Sequence, residues 1–377
     1  MHEVINSIFI FAAVQGFLLS FLLFRKQQNK IANKVLATFI SLISIDLIVQ
    51  YLTAIKLYEQ FPFVFGVTIS FPFIYGPLFY FYTLALTKRV DAFKPKYLFH
   101  LIPALLYFLS FSPFYFLLDQ EKFNVIKGLS SFHSPAFNIL NFFVPYSGLI
   151  YTALALRIIR QFNEGLKNNF SNIDKIKITW LQYLTILSIG VWLVSAFNPL
   201  LAILLDNIIG QEKITYIVVS IFIFAIGYEA LRKPEVFGNV VAESEKDFPL
   251  RIKGKYERSS LTEEEINRIK NLLIQLMEHK KFYLNPKLTL SHISEELEVS
   301  NHNLSEVLTK AFDKNFYDFV NIYRVNEFKE RIKNPEFNNY SLLALALDSG
   351  FSSKSSFNSN FKKITNMTPS EFRKMNS

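Results

Sequence analysis

Leu290-Ser-His-Ile-Ser-Glu-Glu-Leu-Glu-Val-Ser-Asn-His-Asn-Leu-Ser-Glu-Val-Leu308 is followed, 52 residues on, by Leu342-Leu-Ala-Leu-Ala-Leu-Asp-Ser-Gly-Phe-Ser-Ser-Lys-Ser-Ser-Phe-Asn-Ser-Asn-Phe361. Leu290, Ile293, Ser294 and Val299 find counterparts in Leu342, Leu345, Ala346 and Phe351, and Leu304 and Leu308 in Phe357 and Phe361. Each copy reads as a short helix, a tight turn (Glu298-Val-Ser300; Gly350-Phe-Ser352) and a second helix. That is the helix-turn-helix layout, whose second helix can enter a DNA major groove. The spacing predicts a joining helix of about 18 residues over Phe316–Lys333. Upstream, Thr262-Glu-Glu-Glu265 has the form of a capping box. Ile266, Ile269, Leu272, Leu273 and Leu276 continue it as an amphipathic helix to about Lys280, and Asn285-Pro286 breaks the pattern.

The outward faces test a nucleic-acid reading. With Leu304, Val307, Leu308 and Phe312 turned inward, Asn301, His302, Ser305, Glu306 and Thr309 face out; with Phe357, Phe361 and Ile364 inward, Lys354, Ser355, Asn358, Ser359 and Lys362 face out. Amide, hydroxyl and ammonium groups suit base edges and phosphates, and Glu can accept from cytosine. A helical protein-interaction domain with a solvated polar face would show the same pattern. Charge does not separate the two: residues 288–377 hold 11 basic and 11 acidic side chains, although 341–377 has five basic to two acidic. A balance that even predicts modest non-specific affinity and a shallow salt dependence.

Residues 1–231 are a different polymer. They carry 28 charges, against 43 in the 146 residues that follow. Seven apolar stretches, near Val4–Phe24, Val35–Ile55, Phe61–Leu86, Tyr97–Leu118, Asn138–Ile159, Leu181–Leu205 and Ile214–Leu231, approach the ~20 residues that span a bilayer as a helix. They are apolar all round, whereas buried helices of a soluble domain are usually shorter and keep a polar side. Connections after the first, third and fifth stretches hold thirteen Lys and Arg, and the alternate connections four. The positive-inside rule then puts the N-terminus outside and the C-terminus in the cytoplasm. The first stretch lacks the basic leader and small-residue cleavage site of a signal peptide. Asp46, with Gln50 one turn later, is the intramembrane polar candidate; it either serves a sensor or is hydrogen-bonded to neighbouring helices as a structural tie. Phe71-Pro-Phe-Ile-Tyr-Gly-Pro77 and Asn198-Pro199 place helix breakers at that depth, lining a cavity or kinking helices.

The expected fold class is all-α: a seven-helix transmembrane bundle over 1–231, a linker over 232–260 rich in Pro and Gly, and a cytoplasmic double helix-turn-helix domain over 261–377.

Leu288-Thr-Leu-Ser-His-Ile-Ser-Glu-Glu-Leu297, Ser300-Asn-His-Asn-Leu-Ser305, Asn321-Ile-Tyr-Arg324-Val, Ser349-Gly-Phe-Ser-Ser-Lys-Ser-Ser-Phe357, Phe361-Lys-Lys363 and Thr368-Pro-Ser-Glu-Phe-Arg373 together resemble the AraC/XylS-type regulator family over about residues 265–377. The resemblance implies two helix-turn-helix units on a linking helix, binding double-stranded promoter DNA in successive major-groove turns. It carries base contacts over to His302, Ser305 and Glu306 and to Lys354, Ser355, Asn358 and Ser359. The basic motif residues Arg324, Lys363 and Arg373 join the expected DNA-binding set. Three departures stand out. Glu298 and Asn366 occupy positions where the family often has Gly, and Glu306 one where many members place Arg. A left-handed backbone at Glu298 would cost roughly 1 kcal/mol. The arrangement is similar to membrane-anchored members with a multi-helix N-terminal region, not to those with a soluble β-barrel sensor.

The absence of Cys excludes disulfides and thiol chemistry. The six His show no i, i+4 pairing, and no phosphate loop, nucleophile elbow or kinase signature is present. Neither an enzyme nor a metal or cofactor site is expected. The chain reads as a multi-pass protein of a bacterial inner membrane, in contact with the lipid bilayer. An unknown small-molecule or membrane signal would act on it, passed on through 232–260 and the Ile266–Leu276 helix, and pairing as a homodimer is reasonable on symmetry grounds. The reading from another class is a membrane transporter or receptor whose C-terminal domain recruits proteins; seven stretches without an evident two-half repeat speak against transport.

Overall fold

A computed structural model describes residues 2–27, 29–89, 94–127, 134–174, 176–205, 211–232 and 261–376. Among them the chain forms helices α1 (His2–Arg25), α2 (Lys30–Ala54), α3 (Pro72–Leu86), α4 (Ile102–Phe111), α5 (Asp119–Ile126), α6 (Pro135–Asn169), α7 (Thr179–Leu205), α8 (Gln211–Arg232), α9 (Glu263–Glu278), α10 (Leu290–Glu296), α11 (Asn301–Phe312), α12 (Phe316–Lys333), α13 (Leu342–Asp348), α14 (Lys354–Thr365) and α15 (Pro369–Asn376). No β-sheet occurs among the described residues; one isolated bridge joins Phe170 and Thr289. Two compact units result, Met1–Arg160 with Ile178–Glu243, and Gln161–Lys177 with Ser244–Ser377. Helix α6 thus starts in the first unit and ends in the second. The expected linker, from residue 233 onward, lies outside the described residues.

In the first unit α1 packs on α2 and α8, α2 on α3, and α7 on α8. Five segments among the described residues are long and apolar enough to cross a membrane: Ile5–Arg25, Lys30–Ala54, Pro95–Phe116, Pro135–Asn169 and Thr179–Asn198. The third apolar stretch differs from the expected full-length helix. Its first half folds as turns and a short 3-10 segment at Pro62–Val64, Gly66 takes φ +79°, and α3 starts only at Pro72, where a missing N–H costs nothing. Its 15 residues span about 22 Å at 1.5 Å per residue. The fourth stretch is helical as far as Phe116, with α4 flanked by 3-10 turns at Pro95–Leu101 and Ser112–Phe116. This unit is apolar outside: Phe11, Leu18, Phe99, Phe142, Ile150 and Tyr183 are each more than 60% exposed. Its polar groups turn inward. Ser20 donates to the Ala37 carbonyl at 2.9 Å and shares a 2.6 Å hydrogen bond with Ser41.

The second unit is built by local rules. Thr262, Thr289, Ser300, Asn315, Ser341 and Ser353 cap α9 to α14, each side chain accepting from the backbone N–H three residues on. Glu265 completes the capping box by accepting from the Thr262 N–H at 2.8 Å. The two helix-turn-helix units, α10–α11 and α13–α14, have separate cores, and α12 serves both. Its first half gives Phe316, Phe319 and Val320 to the first core, beside Ile293, Leu304 and Leu308; its second half gives Val325, Phe328 and Ile332 to the other, beside Leu345, Phe357 and Phe361. Helix α9 seals the first core with Ile269, Leu273 and Leu276.

The turns differ in a telling way. Glu298 has φ +54° and Gly350 has φ +93° at matching places. A Cβ on Gly350 would sit 2.3 Å from the Tyr283 carbonyl oxygen, so only glycine fits there. Asn366 ends α14 at φ +59°, a conformation Asn tolerates.

Candidate nucleic-acid interface

Helix α14 presents Lys354, Ser355, Asn358, Ser359, Lys362 and Lys363 on its exposed side, while Ser356, Phe357, Asn360 and Phe361 are buried beneath. Asn360 fixes its rotation on α12 by donating to the Tyr317 hydroxyl at 2.7 Å. On this face Lys363 is tied in a 2.7 Å ion pair with Asp318. Lys354 and Lys362 are the basic side chains of this face outside that ion pair, and α14 itself carries no acidic residue, which suits contact with phosphate.

Helix α11 is a different surface. His302 and Thr309 are exposed, Ser305 and Glu306 half-buried. Glu306 is held by Lys310 one turn on, at 2.7 Å, which cancels its charge and leaves this face less electropositive than α14. Asn301 departs from the expected outward role: its amide donates to Ser291 at 3.1 Å and its carbonyl accepts from Ser294, so it clamps α10 to α11.

Arg324 departs further. It is 1% exposed, the largest fully buried side chain among the described residues. Its guanidinium donates to the carbonyls of Tyr283 (2.8 Å), Ser171 (3.0 Å) and Asn285 (2.9 Å) and to the Ser171 hydroxyl (2.9 Å). Burial lowers its pKa to about 10, still protonated at neutral pH. A residue so committed cannot reach DNA; it ties α12 to the segment before α10 and to Ser171. Arg373 donates to the Asn338 carbonyl at 2.9 Å, holding α15 to the connection ahead of α13.

Sequence reasoning missed Ser171 and Asp174. Ser171 is fully buried, donating through its hydroxyl to the Leu288 carbonyl at 2.7 Å and through its N–H at 3.2 Å. Three residues on, the Asp174 carboxylate accepts from Ser353, the cap of α14, and from Ser355 at 3.4 Å. It therefore puts a negative charge at the positive end of the helix dipole, beside Ser355 of the exposed face. No local signal marks these positions, which lie in a short basic connection far from the residues they touch.

Residues 293–375 match a family described as "Helix-turn-helix domain". These residues form an AraC-type helix-turn-helix domain. Curated relatives include uncharacterized HTH-type transcriptional regulators of Staphylococcus aureus strains COL and MSSA476, each 29% identical over 99 residues, 26% of this chain. The match covers 13% of the length of each of those relatives. A solved structure, of a protein with unknown function from Listeria innocua, is 28% identical and covers 29% of this chain and 97% of its own, with a TM-score of 0.25.

In the AraC-type domain a second polar knot lies near Arg324. Glu327 accepts from Lys281 (3.0 Å), Tyr283 (2.8 Å) and Arg331 (2.9 Å). Burial alone would raise its carboxyl, but these hydrogen bonds and the Lys281 charge outweigh it and hold Glu327 below the usual carboxylate range.

Far from that domain in sequence, Asp46 lies within the first unit, 4% exposed. It accepts from Thr68 at 2.6 Å and Tyr75 at 3.0 Å, and Gln50 donates to Tyr216 at 2.9 Å. Asp46 and Gln50 both line a cavity of about 310 Å3 walled by aromatic side chains. Asp46 is thus hydrogen-bonded to neighbouring side chains and also lines the cavity.

Proposed function

We propose that the protein is a membrane-embedded one-component transcriptional regulator. Its N-terminal half responds to a small-molecule or membrane signal, and its AraC-type domain binds promoter DNA sequence-specifically. The observation that carries the reading is the exposed face of α14, where Lys354, Ser355, Asn358, Ser359 and Lys362 stand over an independent core. The outward apolar side chains of the first unit support the membrane part, because so many exposed large apolar groups are costly in water. We assign residues 1–231 to seven passes through a bacterial inner membrane, N-terminus outside. Residues 232–260 form the linker and 261–377 the cytoplasmic domain, with a homodimer as the assembly that matches paired half-sites.

Coupling has a candidate route. Helix α6 runs on into the Phe170–Asp174 segment, which reaches Arg324 and Ser353 within the second unit. A signal that alters α6 would act on α14 through this segment.

The deciding experiment is genome-wide crosslinking of the full-length protein to DNA in its host, with fractionation to locate it. The expected result is discrete promoter peaks from a membrane-bound protein. Membrane-bound protein with no peaks in any growth condition would overturn the reading. It would favour instead a membrane transporter or receptor whose C-terminal domain recruits proteins.

A further inference from the structure

We propose that the cavity around Asp46 binds a small organic cation, an ammonium group carried on an apolar or aromatic body. The inference rests on the sensor reading only for its biological role; the binding follows from the cavity alone.

The chemistry of the lining selects the class. Asp46 is its one acidic residue, and no Lys, Arg or His is among the described residues around it. A carboxylate has about four lone-pair positions, and the donors to Asp46, Thr68, Tyr75 and Gln50, are all neutral. A buried carboxylate without a cationic partner is costly. Across the same lining, the Asn198 carbonyl oxygen is buried without a hydrogen-bond partner. Both groups ask for donors, and one asks for positive charge.

The walls narrow it further. Tyr75, Tyr216 and Trp192 line the cavity together with Phe39 and Phe79, and aromatic faces attract organic cations by their quadrupoles. A hard metal cation takes about six oxygen ligands and favours several carboxylates; this lining offers one carboxylate among neutral hydroxyl and amide groups, and no cluster of three or more His, Asp or Glu occurs among the described residues. An anion meets Asp46 with the wrong sign. The volume of about 310 Å3 is at the small end of ligand sites, roughly 300–1,000 Å3, which suits a single-ring amine.

The test uses full-length protein in lipid nanodiscs with Trp180→Phe, leaving Trp192 as the sole tryptophan and a reporter in the cavity wall. Titration with 2-phenylethylamine is expected to change Trp192 emission saturably. Its neutral isostere 2-phenylethanol should bind at least ten times more weakly, and Asp46→Asn should remove most of the preference for the amine. The idea is overturned if amine and alcohol bind alike, if Asp46→Asn binds the amine as before, or if neither phenylethylamine nor choline gives a saturable change. The amine–alcohol comparison needs no Asp46 variant, so misfolding of that variant would not blunt it. Promoter crosslinking is read separately, so loss of this site and loss of the regulator reading are distinguishable.

Discussion

Ser353 donates its side-chain hydroxyl to Asp174, 179 residues earlier in the chain, while accepting the Ser356 N–H that starts α14. One residue thus caps the helix and anchors an acidic side chain at the end where a DNA phosphate would otherwise be favoured. Asp174→Ala in the full chain is expected to raise affinity for promoter DNA several-fold at low salt. The gain should shrink as salt rises, because part of what is removed is screened repulsion. Fluorescence anisotropy across a salt series would show it, and unchanged affinity would mean that the segment leaves readily when DNA binds.

The exposed face of α14 makes a separate prediction. Changing Lys354, Ser355 and Asn358 together to Ala should weaken specific binding more than binding to random DNA, by about 1–3 kcal/mol for each base edge left without its side-chain partner. Equal weakening on both would reassign these side chains to phosphate. Asn301→Ala should act differently, lowering stability by removing the α10–α11 clamp.

Arg324 is a stability residue. Arg324→Ala strands the Tyr283 carbonyl and leaves the Ser171 carbonyl a 3.5 Å contact from Asn321 and the Asn285 carbonyl the Leu288 N–H, at roughly 1–3 kcal/mol for each group that stays buried and unpaired. Arg324→Lys should recover little, since an ammonium cannot serve acceptors on several sides as the planar fork does. Thermal unfolding of the C-terminal unit would report both, and Ser171→Ala should produce a smaller destabilisation of the same kind.

The paired turns give opposite signs. Gly350→Ala meets the Tyr283 carbonyl and a positive φ, and should cost about 1–3 kcal/mol. Glu298→Gly relieves a left-handed non-glycine residue worth about 1–2 kcal/mol, offset by the extra freedom glycine gives the unfolded chain. A small rise in midpoint is expected, and a fall would show that the Glu298 side chain contributes in its own right.

Glu327 predicts a pH dependence. Its folded-state carboxyl is lower than in the unfolded chain, so its contribution is fully present above the unfolded value, about 4.3. It fades as pH falls through the folded value, since the unfolded state then binds the extra proton. The stability gap between the wild type and Glu327→Gln should therefore be constant near neutrality and narrow below about pH 4. Urea midpoints across that range would measure it.

Much of the AraC-type domain is legible in the sequence because its determinants are local. The capping box at Thr262, the span of α12, the outward set on α14 and the left-handed Asn366 each depend on residues within a few positions of one another. The apolar stretches of the first half are likewise visible, since the need to bury backbone polar groups in long helices is written in composition alone. Pro62, Gly66 and Pro72 hold the reason the third stretch is helical only in its second half, but the length of the apolar run masks them.

Tertiary structure alone decided the rest. Arg324 has the sequence context of a DNA-facing basic residue; it is buried because four acceptors from Ser171, Tyr283 and Asn285 converge where α12 passes. Asp174 gains its meaning from Ser353, and Asp46 from Thr68 and Tyr75. A buried hydrogen bond constrains atoms, not spacing, so partners tens or hundreds of residues apart leave no period along the chain. Helices, caps and turns come from neighbours in sequence, and the roles of these three charged residues from neighbours in space.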